Sequence, residues 1–265
     1  MNDTPKPESQ GHARLRSSIE WDEYFAANEQ RLLDVPWDDG VEISQVERDA
    51  IASSIQGFQL GESSEGRHLL KCARRYSEVH GDPSYLPAIQ RFIREEQRHA
   101  RELGRFMGMA GIPRIKKTWP DTVFRLLRHR AGLELSIGVL VTAEIIAKVY
   151  YPALRNATSS SVLRRVCDQI IHDEAPHVEF QCERLAILRQ RRGRVGLAIT
   201  HGSHRFLFWG TCFVVWYKHG KAMRAGGMKF RDFWNRCWQE FHLARQLMDP
   251  RLYRGIAEQA VVSNP

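Results

Sequence analysis

Between residues 44 and 190, apolar positions recur at alternating steps of three and four, the spacing that holds them on one face of an α-helix. The first such stretch, 44–80, has a seam of Ile55, Phe58, Glu62, Glu65, Leu69, Cys72 and Tyr76, so two glutamates interrupt an apolar stripe. Ser44 and Glu47 form a capping box at its start. Gly81, Asp82 and Pro83 then read as a stop, an N-cap and the first residue of a second helix. That helix covers 83–109, places Ile89, Phe92, Glu96, His99, Leu103 and Phe106 on one face, and ends at Gly111-Ile112-Pro113. A third helix starts near Asp121 or Leu133 and carries the apolar run 137–147, whose one acid is Glu144. After a turn at 156–161, a fourth helix turns Leu163, Val166, Ile170, Glu174, His177 and Gln181 inward. Pro176, between two of these, removes a backbone donor and predicts a kink or a π-bulge.

The flanks follow a different pattern. Residues 1–43, with Pro5, Pro7, Gly11, Pro36 and Gly40, read as an extended arm containing a short amphipathic piece at 21–33. Residues 191–265 form an aromatic-rich helical extension: 204–219 is almost continuously apolar and aromatic, and Phe233, Trp234, Trp238, Phe241 and Leu243 follow. The chain is thus predicted to be all-α, a four-helix bundle at 44–190 between the arm and the extension.

Composition narrows the reading further. A length of 265 residues suits one domain of roughly 150–200 residues with added segments. No apolar run approaches the ~20 residues of a membrane span. The polar first residues lack a signal-peptide core, which makes a cytoplasmic address the expectation. Cys72, Cys167, Cys182, Cys212 and Cys237 contain no Cys-x-x-Cys pair and read as reduced core thiols. The net charge of +8 favours acidic partners, but the basic residues are dispersed except at 189–194, which disfavours nucleic acid.

Glu-x-x-His occurs twice on these seams, as Glu96 with His99 and as Glu174 with His177. Residues three apart share a helix face, so each motif aims a carboxylate and an imidazole the same way. With Glu144 and either Glu62 or Glu65, this is the ligand inventory of a dinuclear metal site inside a four-helix bundle. In an antiparallel pair, residues at one height straddle the turn. Glu144 and Glu174 have their midpoint inside the 156–161 turn, and Glu65 and Glu96 have theirs beside Gly81. Glu62 sits three residues earlier, so geometry favours Glu65 by a small margin.

Over 44–190 these residues resemble the ferritin-like di-iron carboxylate proteins. Glu95-Glu96-Gln97-Arg98-His99-Ala100 is similar to the Glu-Glu-Asn-Arg-His-Gly motif of acyl-carrier-protein desaturases, and Asp173-Glu174-x-x-His177 to the Asp-Glu-x-x-His motif of bacterial multicomponent monooxygenases. Gly61-Glu62-Ser63 resembles the first ligand segment of rubrerythrins, which favours Glu62 instead. The resemblance implies two metal ions, iron or manganese, on Glu62 or Glu65, Glu96, His99, Glu144, Glu174 and His177. Glu95 and Asp173 are carried over as the acids that support the histidines at the catalytic centre. It also implies an oxidase or oxygenase that hydroxylates, desaturates or N-oxidises a small or carrier-bound organic substrate, fed by an external electron donor, with a homodimer allowed. The alternative is iron handling, as a ferroxidase or a rubrerythrin-like peroxide reductase.

Overall fold

A computed structural model describes residues 14–63, 66–117 and 132–253. Among them there is no strand; the elements are helices. Helix α1 spans Ser18–Asn28, α2 Gln45–Glu62, α3 Arg67–His80, α4 Tyr85–Met109, α5 Leu133–Asn156, α6 Ser161–Arg189, α7 Arg194–Ala225 and α8 Phe230–Leu247.

The capping box predicted at Ser44 is present, with Glu47 reaching back to the Ser44 amide. Glu47 also accepts from the amide and hydroxyl of Ser159, at 2.5 and 2.9 Å. The start of α2 is thereby tied to the turn between α5 and α6. These hydrogen bonds, chiefly the Ser44 amide, hold the Glu47 carboxyl down at about 2. The predicted turn is equally direct: α5 ends at Asn156, and Ser160 caps α6.

The single helix expected over 44–80 is broken. α2 stops at Glu62, and α3 starts after Gly66, which has φ +62°. A left-handed residue cannot continue an α-helix, and a side chain there would strike Ile93, whose Cδ1 lies 2.5 Å from the ideal Cβ position. Counting residues back from Gly81 therefore gives no valid height for Glu62 or Glu65. Asp82 is not an N-cap either. Its carboxylate accepts from Ser18 at 2.7 Å and pairs with Arg184, and α4 begins at Tyr85, after Pro83 and Ser84. The third helix begins at Leu133; Asp121, its other predicted start, lies outside the described residues. α6 runs through Pro176 as an α-helix with no π-helical turn.

α2 and α3 pack along α4, α5 packs along α6, α4 meets α6, and α3 meets α5, so these elements enclose a common interior. The N-terminal segment does not lie extended over 18–28. α1 docks on α4 with Trp21 and Phe25 fully buried, and Phe25 meets Phe92 at a tilt and Phe180 edge-on. α7 covers α5 and α2, while α8 covers α5 and α6. Their inward faces supply Phe208, Cys212, Met223, Phe233, Cys237 and Phe241. One contiguous cluster of buried side chains runs from Trp21 to Met248, through the arm, the middle helices and the extension. All five cysteines are free thiols, and all but Cys72 are buried.

Candidate metal centre

The two Glu-x-x-His motifs meet in this interior. α4 contributes Glu95, Glu96, Arg98 and His99, and α6 contributes Asp173, Glu174 and His177. Glu144 comes from the middle of α5, and Glu62 from the last turn of α2. His99, Glu174, His177 and Asp173 are completely buried, while Glu62, Glu95 and Glu144 are nearly so. Glu65 lies outside the described residues. Of the two acids weighed for the first helix, Glu62 is the one placed in this cluster.

The imidazoles are bracketed crosswise. His177 Nε2 is 2.8 Å from Glu95 Oε2, and His99 Nε2 is 2.9 Å from Asp173 Oδ2. Each motif thus supplies the acid that holds the other motif's histidine. A carboxylate at Nε2 requires the N–H there, which leaves Nδ1 as the inward-facing nitrogen. Both Nδ1 atoms are buried without a hydrogen-bond partner. They converge on Glu96 Oε1, at 3.0 Å from His177 and 3.7 Å from His99. That oxygen and both oxygens of Glu174 also lack hydrogen bonds.

Buried polar atoms are normally satisfied. Here five of the unsatisfied atoms, on Glu96, His99, Glu174 and His177, are carboxylate or imidazole atoms gathered in one cluster. Two groups have one ligand atom per residue within 4.8 Å of one another: Glu62, Glu96 and His99, and Glu96, Glu144 and His177. Glu96 belongs to both. The cluster is therefore able to hold a metal ion on carboxylate and imidazole donors.

Electrostatics point the same way. Burial, reinforced by repulsion from Glu144 and the neighbouring acids, raises the Glu96 and Glu174 carboxyls well above their ordinary range, and burial raises Glu62 as well. Burial would lower His177, yet its carboxylate neighbours Glu95 and Glu96 raise it well above the usual imidazole value. Asp173 is driven the other way: despite burial, His99 and Arg98 hold it well below the carboxylate range. A cation among these groups would replace the protons that otherwise offset the charge.

Further residues support the acids of the cluster. Asn28, at the end of α1, donates to Glu95 at 2.8 Å and to Asp173 at 2.9 Å. Gln169 donates to both Asp173 oxygens at 3.0 Å, and Arg98 pairs with the same acid. Tyr151 donates to Glu62 at 2.5 Å, and Gln181 to Glu144 at 3.2 Å. Asn28 follows Trp21 and Phe25 at helical spacing, a signal that a ligand search of the central helices overlooks. Phe92 closes over His177 edge-on at 4.8 Å between ring centres, with Phe25 at 6.0 Å. Comparison of the chain with protein-family models, with curated proteins and with solved structures finds no match.

Proposed function

We propose that this chain is a ferritin-like dimetal carboxylate oxidoreductase that uses dioxygen to oxidise an organic substrate. The observation that carries this reading is the pair of imidazoles, each fixed at Nε2 by an acid of the other motif and open at Nδ1 toward the shared Glu96. One glutamate from each of two helices and Glu-x-x-His from each of two others is the donor set of a dinuclear carboxylate centre. Glu62, Glu96 and His99 would hold one ion, and Glu144, Glu96 and His177 the other, with Glu174 in reach of the shared acids. Four carboxylates balance the charge of two divalent cations.

When bound, a pair of iron or manganese-and-iron ions supplies one-electron redox steps and open positions for dioxygen. The chain's own residues do the rest. Glu95 and Asp173 set the histidine tautomers, Asn28 spaces those two acids, and Arg98 keeps Asp173 charged. Tyr151 and Gln181 orient Glu62 and Glu144 by hydrogen bonds to one oxygen of each. Phe25 and Phe92 exclude water from the His177 side. An organic substrate, with an external electron donor, is favoured over stored iron by the two further helices, α7 and α8, since mineral storage needs only the central helices.

The test is anaerobic loading with ferrous iron followed by air. About two ions per chain and no mineral are expected for this donor set. A growing iron core would overturn the oxidoreductase reading in favour of iron storage. Glu144→Ala and His177→Ala are each expected to lose metal while the helical circular dichroism persists. Unchanged metal content in both would remove the ligand assignment.

A further inference from the structure

α7 carries a pattern that neither the core nor the metal centre uses. Val195, Ile199, Phe206, Trp209, Phe213 and Tyr217 are all exposed, from 42% for Phe213 to 82% for Tyr217. At 3.6 residues per turn they fall within a sector about 80° wide and run about 33 Å along the helix. The opposite face buries Leu197, His204, Phe208 and Thr211. Phe213 links the stripe to α8, with ring centres 5.9 Å from Phe230 and 5.0 Å from Trp234. Soluble monomers rarely leave so many large apolar side chains uncovered on one helix face.

Charge is the second observation. Residues 184–231 contain eleven Lys and Arg and not one Asp or Glu. Arg194, Arg205, Lys221, Arg224, Lys229 and Arg231 are exposed. Arg205 and Lys221 flank the stripe on its two sides, each about 80° from its centre. The next acids along α8 are Asp232, which closes the helix N-terminus, and Glu240, which pairs with Lys148.

We propose that this face of α7, with the start of α8, docks on the surface of an anionic bilayer, its rings in the headgroup region and its cations over lipid phosphates. A second copy would bring the same acid-free segment against itself, and like charges oppose that contact. The helix would lie on the bilayer rather than span it: no helix of the described residues is long and apolar enough to cross a membrane.

The experiment floats the full chain with vesicles of phosphatidylcholine alone and with vesicles half phosphatidylglycerol. At least about tenfold more protein is expected with the anionic vesicles, and raised salt should release it. F206S/W209S/Y217S should keep its melting temperature and metal content, because these side chains are exposed, and should lose most of the vesicle binding. R205Q/K221Q/R231Q should abolish the preference for anionic lipid. Equal recovery with both vesicle types, or an aromatic variant that binds undiminished, overturns the proposal. A concentration-dependent dimer that the aromatic variant dissociates assigns the face to a second copy and also overturns it. So does retention on polyglutamate without binding to vesicles, which assigns the face to an acidic protein.

Discussion

Asn28 offers both N–H bonds of one amide to two acids on different helices, Glu95 of α4 and Asp173 of α6. It is the one residue of α1 hydrogen-bonded to both histidine-supporting acids, and it fixes their separation. Asn28→Ala is expected to lower metal affinity about 10- to 100-fold, as loss of an outer-layer partner typically does. Two acids losing a buried donor should also cost about 1–3 kcal/mol of stability. Competition with a chelator measures the first effect and thermal melting the second; unchanged affinity would show that Asn28 only packs. At the same scale, Glu62, Glu96 and Glu174 have raised carboxyl pKa values in the folded chain. A carboxyl that binds protons more tightly when folded adds stability as it is protonated. His177, also raised, contributes in the same direction: its share is present below the ordinary imidazole value and is lost as pH rises through the folded one. The metal-free protein should therefore melt higher at pH of about 5.5 than at about 8, and Glu174→Gln should flatten the difference. His204 and His219 work the other way, since burial holds both down at about 4 and their stabilisation fades as pH falls below the ordinary imidazole value; that of Glu47 and Asp173, both depressed, fades below about 4. A melting temperature that falls steadily on acidification from pH 8 would contradict this account.

Among the described glycines, Gly226, between α7 and α8, lies nearest to a neighbouring backbone. Gly226 sits so close to α5 that an added Cβ would lie 2.0 Å from the Ala153 carbonyl oxygen. Backbone cannot yield as a flexible side chain does, so Gly226→Ala should destabilise by about 1–3 kcal/mol, the usual range for overpacking. Denaturant unfolding checks this, and an unshifted midpoint would show that the two helices move apart freely. Element boundaries also show what the sequence makes legible. Ser44 and Gly111 mark helix ends by local chemistry, and the structure has ends there. The seam from Ile55 to Tyr76 keeps its period straight through a break, because periodicity records which face is buried and not whether the backbone is continuous. Gly66 was the one local clue, and a lone glycine in a helical pattern is usually tolerated. α6 stays α-helical through Pro176, so the π-bulge expected there is absent. Glu96, His99, Glu144, Glu174 and His177 were legible because charged groups on apolar seams need a reason to be buried. Asn28 is not legible in this way, since its role appears only once α1 is set against α4 and α6, whereas Gln169 stands four residues before Asp173 on α6 itself.

For the whole molecule, the core joins segments that the sequence pattern separates. Trp21 of α1 donates its indole N–H to Glu183 of α6 at 2.7 Å and packs on Phe180, so the N-terminal helix is part of the interior. The crossed support of the two histidines acts at the same scale. Because Glu95 steadies His177 and Asp173 steadies His99, neither motif is a finished trap by itself. A chain still emerging from synthesis, with α4 made and α6 not yet docked, offers a stray ion a loose ring and too few oxygens. On the proposed dimetal reading, capture would thereby be postponed until the last of these helices has closed.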